Sequence, residues 1–461
     1  MMRTAEKNSG DFTRGSIPRV VMGMAVPLIV AQLVNVLYNI VDRIYIGHIP
    51  VIGAHALTGV GVALPVITIL SAFAGLFGQG GAPLFSIARG AGNTEEAGRI
   101  MGNAMSMLLV SSAALAVLAR LISRASLLAL GAGENTLSYA MDYLHVYLLG
   151  TPLVFITLGM NPYVNAQGFA RRGMLTVLLG AAVNIALDPV FIFVLGMGVR
   201  GAAWATVLAQ AVSAVWCLGF LCGGSAPLRL QGRLMAPRPR LMGRIVSMGV
   251  TNFMAQGTNS IVQAVSNMQL GAYGGELWIG AMTIINSLRI AFLQVVTGMS
   301  AGVQPVLGYN YGAGEKGRVL EAIRFESFAG IGFMILAWAL MELFPGPFVR
   351  IFTDDPALIA VTVPAVRLYY AGFFLMGAML CGQCVFQGLG RAKQAAFFSL
   401  FRKVLVEVPL MFLLPGLWGL GADGVFLSEP ISDLVGGAAA FLTMLVTIYY
   451  PMKRELQKET V

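Results

Sequence analysis

The stretch Asn165–Ser213 reads NAQGFARRGMLTVLLGAAVNIALDPVFIFVLGMGVRGAAWATVLAQAVS, and it decides the fold class of this chain. Two apolar segments begin in it, at 173–197 and 201–222, and a short glycine-containing turn separates them. Each is long enough to cross the hydrocarbon core of a bilayer, because a spanning helix needs about 20 apolar residues. Asp188 stands inside the first segment, where an ionisable side chain costs about 2.5–3.5 kcal/mol on insertion scales. The stretch therefore predicts two membrane helices that carry a functional polar group.

The same apolar character continues along the whole chain. Hydrophobic residues make up 57% of the 461 residues and charged residues only 11%, whereas a soluble protein carries about 25% charged residues. Lipid offers no partner for free backbone N–H and C=O groups, so long apolar runs must form helices. We predict an all-α polytopic membrane protein with twelve transmembrane helices, at 20–46, 56–80, 100–119, 137–160, 173–197, 201–222, 245–271, 278–306, 321–342, 358–386, 395–416 and 423–449.

The net charge of +9 reflects membrane topology and not nucleic-acid binding. If the N-terminus is inside, basic residues gather in the inner stretches, including Arg3, Lys7 and the loop 223–244. Cytoplasmic loops are enriched in Lys and Arg, so both termini are predicted to be cytoplasmic. A polar N-terminus followed by a full-length span also predicts no cleavable signal peptide. The outer loops, in contrast, hold only Arg120, Arg124, Arg200 and Arg350.

The two halves of the chain repeat each other across the loop 223–244. Gln167-Gly168 and Pro189 reappear 220 positions later as Gln387-Gly388 and Pro409. Because each half has an even number of predicted spans, both enter the membrane in the same sense, which predicts two parallel-repeat six-helix bundles. The predicted domains are an N-lobe at 1–222, a cytoplasmic linker at 223–244, a C-lobe at 245–450 and a cytoplasmic tail at 451–461.

Polar groups of the first half lie at similar depths in three predicted spans. Asp42, Asn184, Asp188 and Thr206 lie roughly 6–13 Å below the outer surface at 1.5 Å per residue, and Asn184 and Asp188 share a helix face. Pro189 also frees a backbone carbonyl beside them. These oxygens suit a hard monovalent cation such as Na⁺. Without a metal, the two carboxylates would share a proton, because like charges repel. A structural hydrogen-bond network is the alternative.

The second half serves as an internal control for this interpretation. A purely structural network would be expected in both halves, and so its absence from one favours a cation or proton site. Glu429 and Asp433 share a face in the last span and leave a second polar site open, while Glu407 is predicted to pair with Arg402 and Lys403. The positions matching Asp42, Asn184, Asp188 and Thr206 hold Ser266, Val404, Val408 and Phe426.

The pattern Asp…Asn-x-x-x-Asp-Pro…Thr, the stretch Asn165–Ser213 and the ending NIVDRIYIGHI of the first span resemble the multidrug and toxic compound extrusion (MATE) family. The resemblance covers essentially the whole chain. It implies a V-shaped pair of lobes, a prokaryotic plasma-membrane location and cationic, lipophilic substrates. It also implies that the four polar residues bind the coupling Na⁺ or H⁺. The chain lacks the acids that another bacterial branch carries in spans seven and ten, where Gln256 and Gln383 stand instead.

These observations predict a secondary multidrug exporter that works by antiport and alternating access. Pro27 and Pro189 are the expected hinges. No GxxxxGK[ST] loop is present to hydrolyse ATP, and we expect no enzyme activity, no cofactor beyond the coupling ion and no nucleic-acid partner. The expected partners are drug-like small molecules and the bilayer, with the protein as a monomer. A lipid-linked oligosaccharide flippase is the alternative function. The residues expected along the drug path are Asn35, Tyr38, Tyr143 and Asn161.

Overall fold

The computed structural model of the chain describes residues 10–459 except Val51 and Trp418. Arg3 and Lys7, which were assigned to the cytoplasmic N-terminus, lie outside the described residues. Within the described part the regular secondary structure is helical and contains no strand. The prediction of an all-α protein is therefore confirmed.

Long helices account for most of the described chain, and short π-helical and 3₁₀ segments interrupt them. The α-helices are α1 (Ile17–Gly47), α2 (Gly53–Gly90), α3 (Thr94–Ala129), α4 (Glu134–Leu149), α5 (Thr151–Ala166), α6 (Ala170–Pro189), α7 (Gly198–Cys222), α8 (Pro239–Gly274), α9 (Glu276–Gly312), α10 (Lys316–Leu343), α11 (Pro345–Arg350), α12 (Pro356–Tyr370), α13 (Phe373–Gly388), α14 (Ala392–Leu400), α15 (Val408–Leu413), α16 (Ala422–Met444) and α17 (Tyr450–Glu459). The π-helical segments are Val190–Val194, Phe401–Glu407 and Leu445–Tyr449, and the 3₁₀ turns are Gly232–Met235 and Leu414–Gly416.

Not every predicted span meets the length and hydropathy expected of a membrane helix. Among the described residues, eight helices do, or ten if each of two bent pairs is one span. The two other predicted spans coincide with α8 and with the interrupted run from α14 to α15. α8 is rich in Ser, Thr, Asn and Gln, and the interrupted run contains Arg402, Lys403 and Glu407. These polar side chains lower the hydropathy of both segments, so the number twelve stays a prediction.

The described chain forms two compact units. The first comprises Val30–Gly249 and the residues up to Phe12, and the second comprises Thr13–Ile29 and the residues from Val250 onward. Helix α1 therefore begins in the second unit and continues in the first, while α8 does the reverse. Glycines allow the first part of α1 and the first part of α8 each to lie close to the backbone of a neighbouring helix. A Cβ atom on Gly302 of α9 would lie 2.6 Å from the Ala25 Cα atom, and one on Gly249 of α8 would lie 1.8 Å from the Leu76 carbonyl oxygen.

Each unit contains one bent helix pair, and a matched glycine marks each bend. α4 and α5 meet at 59° beside Gly150, and α12 and α13 meet at 46° beside Gly372. A Cβ atom on Gly150 would lie 2.6 Å from a Val207 methyl group on α7. A Cβ atom on Gly372 would lie 2.8 Å from both the Cα and the carbonyl oxygen of Pro430 on α16. The repeat inferred from the sequence is thus visible as a repeated packing detail.

The two bend glycines predict unequal responses to the same substitution. Gly372→Ala presses a methyl group against the backbone of α16, which has little freedom to move, and should cost about 2–3 kcal/mol of stability by overpacking. Gly150→Ala meets the methyl groups of Val207 instead of backbone atoms, and because this buried β-branched side chain is stiff the cost should be smaller but still about 1–2 kcal/mol. Thermal unfolding of the purified variants in detergent measures the difference. Equal losses of stability would contradict this account of the bends.

Candidate functional site

Two helices of the first unit bring an amide, a carboxylate and a hydroxyl together. Asn184 and Asp188 lie one turn apart on α6 and are almost completely buried, at 2% and 0% exposure. Asn184 Nδ2 donates to Asp188 Oδ1 at 3.3 Å and lies 3.5 Å from Thr206 Oγ1 on α7. The spacing of four residues places both α6 side chains on one face, and the packing of α7 against α6 brings the hydroxyl to that face.

Asp42 brings a second carboxylate to this set from the first-unit part of α1. It is half-buried, and its carboxyl group lies within hydrogen-bonding reach of that of Asp188. Arg43 is close enough to attract the Asp42 carboxylate. The structure therefore brings together all four residues that were assigned to a cation or proton site. We call this set, Asp42, Asn184, Asp188 and Thr206, the Asp42 cluster.

Three oxygen atoms of the Asp42 cluster are buried without a hydrogen-bond donor among the described residues. They are Asp42 Oδ1, Asn184 Oδ1 and Asp188 Oδ2. A buried acceptor without a partner costs about 1–3 kcal/mol, and more if it is charged. The two carboxylates also repel each other when both are ionised. A single monovalent cation would offset both sources of instability, whereas a proton shared by the acids would remove their repulsion and supply one donor.

The donor set fits a hard cation better than a transition metal. Carboxylate, amide and hydroxyl oxygens are hard ligands, whereas thiolate and imidazole select softer metals. Among the described residues, no group of three or more His, Cys, Asp and Glu side chains is arranged to hold a metal ion. Any cation here would therefore depend on the neutral oxygens of Asn184 and Thr206 as well as on the two acids.

Aromatic side chains line one side of the Asp42 cluster. Tyr143 on α4 lies close to Thr206, and Tyr38 on α1 is close enough to interact electrostatically with both acids. Tyr147 stacks on Tyr143, with ring centroids 6.3 Å apart and an interplanar angle of 17°. Sequence reasoning selected Tyr38 and Tyr143 but missed Tyr147. Its spacing of four residues from Tyr143 was the available signal.

The other two residues expected along the drug path have different surroundings. Asn35 is half-buried on α1, and its carbonyl oxygen accepts a hydrogen bond from Asn39 Nδ2. Asn161 lies on α5 and donates to the carbonyl oxygen of Gly173 at 3.2 Å. No contact between Asn161 and the Asp42 cluster is found in the described part of the chain. A role for either residue in transport stays a prediction.

The two prolines predicted as hinges occupy different local structures. Pro27 lies inside α1, which is continuous through it. Pro189 ends α6, and the π-helical segment Val190–Val194 follows at once. Phe193 of that segment makes an edge-to-face contact with Tyr45 of α1, with centroids 6.4 Å apart. The break at Pro189 thus lies directly beside the buried Asp188. Hinge motion itself stays a prediction.

The second unit holds a buried ionic cluster that joins two sets of residues named separately in the sequence analysis, the predicted partners of Glu407 and the pair Glu429 and Asp433. Lys403 and Glu407 pair as expected, at 3.2 Å. Arg289 on α9, the sixth member, lies 3.2 Å from Glu429. Comparison of matched positions pointed to Val404 and Val408, each one residue away from a charged side chain. Successive side chains of an α-helix point about 100° apart. Val404 and Val408 therefore lie on a different helix face from Lys403 and Glu407.

Comparison with known proteins agrees with the fold described above. The MatE family model matches residues 27–190 and 253–413, which is more than half of the chain. The chain belongs to the MatE family. The resemblance inferred from Asn165–Ser213 is therefore confirmed, and the chain is a MATE-family membrane transporter.

Curated MATE relatives match almost the full length of the chain. The multidrug export protein MepA of Staphylococcus haemolyticus (strain JCSC1435) is 24% identical over 446 residues, which cover 96% of each protein. MepA of Staphylococcus aureus (strain NCTC 8325 / PS 47) is 24% identical over 455 residues, which cover 97% of each.

Solved structures share the MATE fold as well. A MOP superfamily transporter from Pyrococcus furiosus superposes with a TM-score of 0.89 at 22% identity, covering 96% of this chain and 98% of that one. A MATE protein solved in a bent conformation superposes with a TM-score of 0.90 at 22% identity, covering 97% and 98%. At this level of identity the likeness establishes the fold only.

Proposed function

We propose that this MATE-family transporter exports lipophilic, cationic small molecules by antiport, driven by inward movement of Na⁺ or H⁺ through the Asp42 cluster. The observation that carries the proposal is the set of three buried acceptor oxygens on Asp42, Asn184 and Asp188 without a donor among the described residues. The relatives named as multidrug export proteins support the export of drug-like molecules.

The chemistry of the Asp42 cluster supports exchange of one cation for another. Asp42 and Asp188 supply negative charge that attracts a cationic drug when neither acid is neutralised. Binding of Na⁺ or H⁺ cancels part of that charge and so weakens the attraction for the drug. Because the coupling ion and the cationic drug depend on the same acids, binding of one lowers the affinity for the other. Antiport requires this negative coupling.

Lipophilic cations are also suited to the aromatic residues beside the acids. Tyr38, Tyr143 and Tyr147 present ring surfaces next to Asp42 and Asp188. A cation held over an aromatic ring gains roughly 0.5–2 kcal/mol, the upper end when water is excluded. An aromatic wall with nearby carboxylates therefore selects for positive charge and apolar area without demanding one shape.

Alternating access would connect cation binding to export. In this proposal, neutralisation of Asp42 allows α1 to bend at Pro27 and narrows the space beside the tyrosines. The protein acts as a monomer in a prokaryotic plasma membrane with both termini cytoplasmic, as the distribution of basic residues favours. The coupling ion serves as the only cofactor.

A lipid-linked oligosaccharide flippase is the competing function. The MOP superfamily transporter from Pyrococcus furiosus has the same fold, and a different function is suggested for it, so the fold alone does not fix the substrate. The charge of the substrate separates the two functions. A cationic drug is attracted by the acids of the Asp42 cluster, whereas a lipid-linked sugar diphosphate would be repelled by them.

Proteoliposomes test this proposal directly. The purified protein is reconstituted without ATP, and a Na⁺ gradient and a pH gradient are imposed separately while a fluorescent lipophilic cation is followed. Either the Na⁺ gradient or the pH gradient alone should drive the dye against the concentration gradient of the dye. Failure of both gradients would contradict the proposal. Transfer of a fluorescent lipid-linked oligosaccharide between leaflets, with no dye transport, would establish the flippase instead.

A further inference from the structure

Six ionisable side chains meet in the interior of the second unit, and the proposed function uses none of them. They come from α9, from the π-helical segment Phe401–Glu407 and from α16. The three cations and three acids balance in charge. We call this set the Arg402 cluster, and its members are Arg289, Arg402, Lys403, Glu407, Glu429 and Asp433.

Four members of the Arg402 cluster form a frame of fixed charge. Arg402 Nη1 donates to Glu429 Oε1 at 3.2 Å and also to Asp433 Oδ1. Arg289 Nη2 lies 3.2 Å from the same Glu429 oxygen. Guanidinium groups do not lose their proton in proteins. When Glu429 and Asp433 are both ionised, the two arginines balance their charges, and this frame then has no net charge.

The remaining pair, Lys403 and Glu407, differs from the frame in degree: within the described part of the chain, the frame leaves one acid oxygen, Asp433 Oδ2, without a hydrogen-bond donor, and the pair leaves two. Lys403 Nζ lies 3.2 Å from Glu407 Oε2, yet neither Glu407 oxygen has a hydrogen-bond donor of adequate geometry among the described residues. The Glu407 side chain is 0% exposed and that of Lys403 is 8% exposed. Both side chains can gain or lose a proton, unlike arginine. This pair therefore provides charge that can be exchanged within the Arg402 cluster.

Charged and titratable side chains of several elements lie near Glu407. Arg402 and Lys403 approach it from its own segment, and Glu429 adds negative charge from α16. Arg289 on α9 and Tyr369 on α12 are also within electrostatic range. The arginine charges are already matched by Glu429 and Asp433, so Lys403 is the cation available to stabilise ionised Glu407.

The backbone at this point is unusual as well. Arg402, Lys403 and Glu407 lie within a π-helical segment that ends just before Pro409. Such segments are frequent at functional sites, and a nearby proline also disturbs the regular helical hydrogen bonds. A buried ion pair is weak evidence for a stabilising role, because apolar residues of similar size often do as well or better. A purely structural role would leave Glu407 Oε1, which has neither a hydrogen-bond donor nor an ion-pair partner among the described residues, without explanation.

We propose that Lys403 and Glu407 form a proton-binding site of the second unit, separate from the Asp42 cluster. A proton from water adds to the Glu407 carboxylate and converts it to the neutral acid, and the net charge of the Arg402 cluster rises by one. Release of that proton restores the Lys403–Glu407 ion pair. The site requires neither export nor a cation in the first unit, so it stands independently of the proposed function.

Infrared spectroscopy of the full-length protein in lipid nanodiscs tests this proposal. The C=O stretching band of a protonated carboxyl group is followed during a pH titration, in the absence of any drug. In the wild type this band should contain a titrating component that Glu407→Gln removes. Lys403→Met should move that component to higher pH by about one unit or more, since it removes the cation that stabilises the ionised form. Asp42→Asn/Asp188→Asn should leave the component in place.

A charge-balanced double variant protects the test against misfolding. Lys403→Met/Glu407→Gln removes one cation and one acid and leaves the neutral arginine frame intact, so it should fold and lack the titrating component. The proposal would be overturned if the titrating band of the wild type persisted unchanged in both Glu407→Gln and the folded double variant. Loss of the component in the Asp42→Asn/Asp188→Asn protein, with Glu407 present, would overturn it as well.

Discussion

Asp188→Asn is expected to abolish gradient-driven export while the protein still inserts into the membrane. The substitution keeps the shape of the side chain but removes the negative charge that both the coupling cation and a cationic drug require. Breaking a buried charge interaction costs about 3 kcal/mol or more, which corresponds to a loss of roughly 100-fold or more in cation affinity. Dye efflux from proteoliposomes, driven by whichever gradient supports the wild type, measures the effect. Asp42→Asn should behave in the same way.

Asp142→Asn is the matched control for this prediction. Asp142 also lies on a helix of the first unit, but it makes an ion pair with Arg200 at 2.7 Å in which both side chains are partly exposed. An exposed pair contributes at most about 1 kcal/mol, so export should be close to that of the wild type. Efflux that survives in both Asp188→Asn and Asp42→Asn would remove the Asp42 cluster from the mechanism. Equal losses in Asp142→Asn would attribute the effect to general damage.

Arg402→Leu is expected to cause the largest loss of stability in the second unit. The arginine is 1% exposed, and its removal leaves Asp433 without its arginine partner and Glu429 with only one. An uncompensated buried charge costs about 3–5 kcal/mol. Packing adds to this cost, because the stem of Arg402 fills the space beside Gly436, where a Cβ atom would lie only 2.5 Å from the Arg402 Cγ atom. Thermal unfolding in detergent should show a clear decrease in midpoint.

Arg99→Leu is the control substitution of the same chemistry. Arg99 pairs with Glu95 one turn away, and the Glu95 side chain is 66% exposed. Water solvates Glu95 after the arginine is lost, so stability should change by about 1 kcal/mol or less. A midpoint for Arg402→Leu no lower than that of Arg99→Leu would show that the Arg402 cluster does not depend on its central arginine.

Much of the site could be predicted because membranes make polar groups conspicuous. An acid such as Asp188 inside an apolar segment is costly to insert into the membrane, so its presence indicates a functional role. The spacing of Asn184 and Asp188 by four residues then requires a common helix face. Neither inference needs knowledge of neighbouring helices, and the structure places both residues as expected.

The Arg402 cluster was harder to predict, and the reason is geometric. Matching the two halves residue by residue assumes that equivalent helices present the same face. Glu407 is one position away from the residue that matches Asp188, and that single step turns the side chain by about 100°. The partner of Arg289 lies 140 positions away on α16. Side-chain partners at such separations depend on helix packing, which local pattern does not encode.

The amino-acid sequence alone determined that the chain is an all-α membrane protein with a duplicated design and an acidic site in its first half. Apolar length, charge distribution and repeat are properties of the chain itself, and lipid leaves helices as the only solution for such segments. Tertiary structure alone decided that Asp42 faces Asp188, that tyrosines stand beside them and that the second half buries six charges. Those facts depend on which faces of distant helices meet, because a buried charge is stabilised only by the groups that packing places against it.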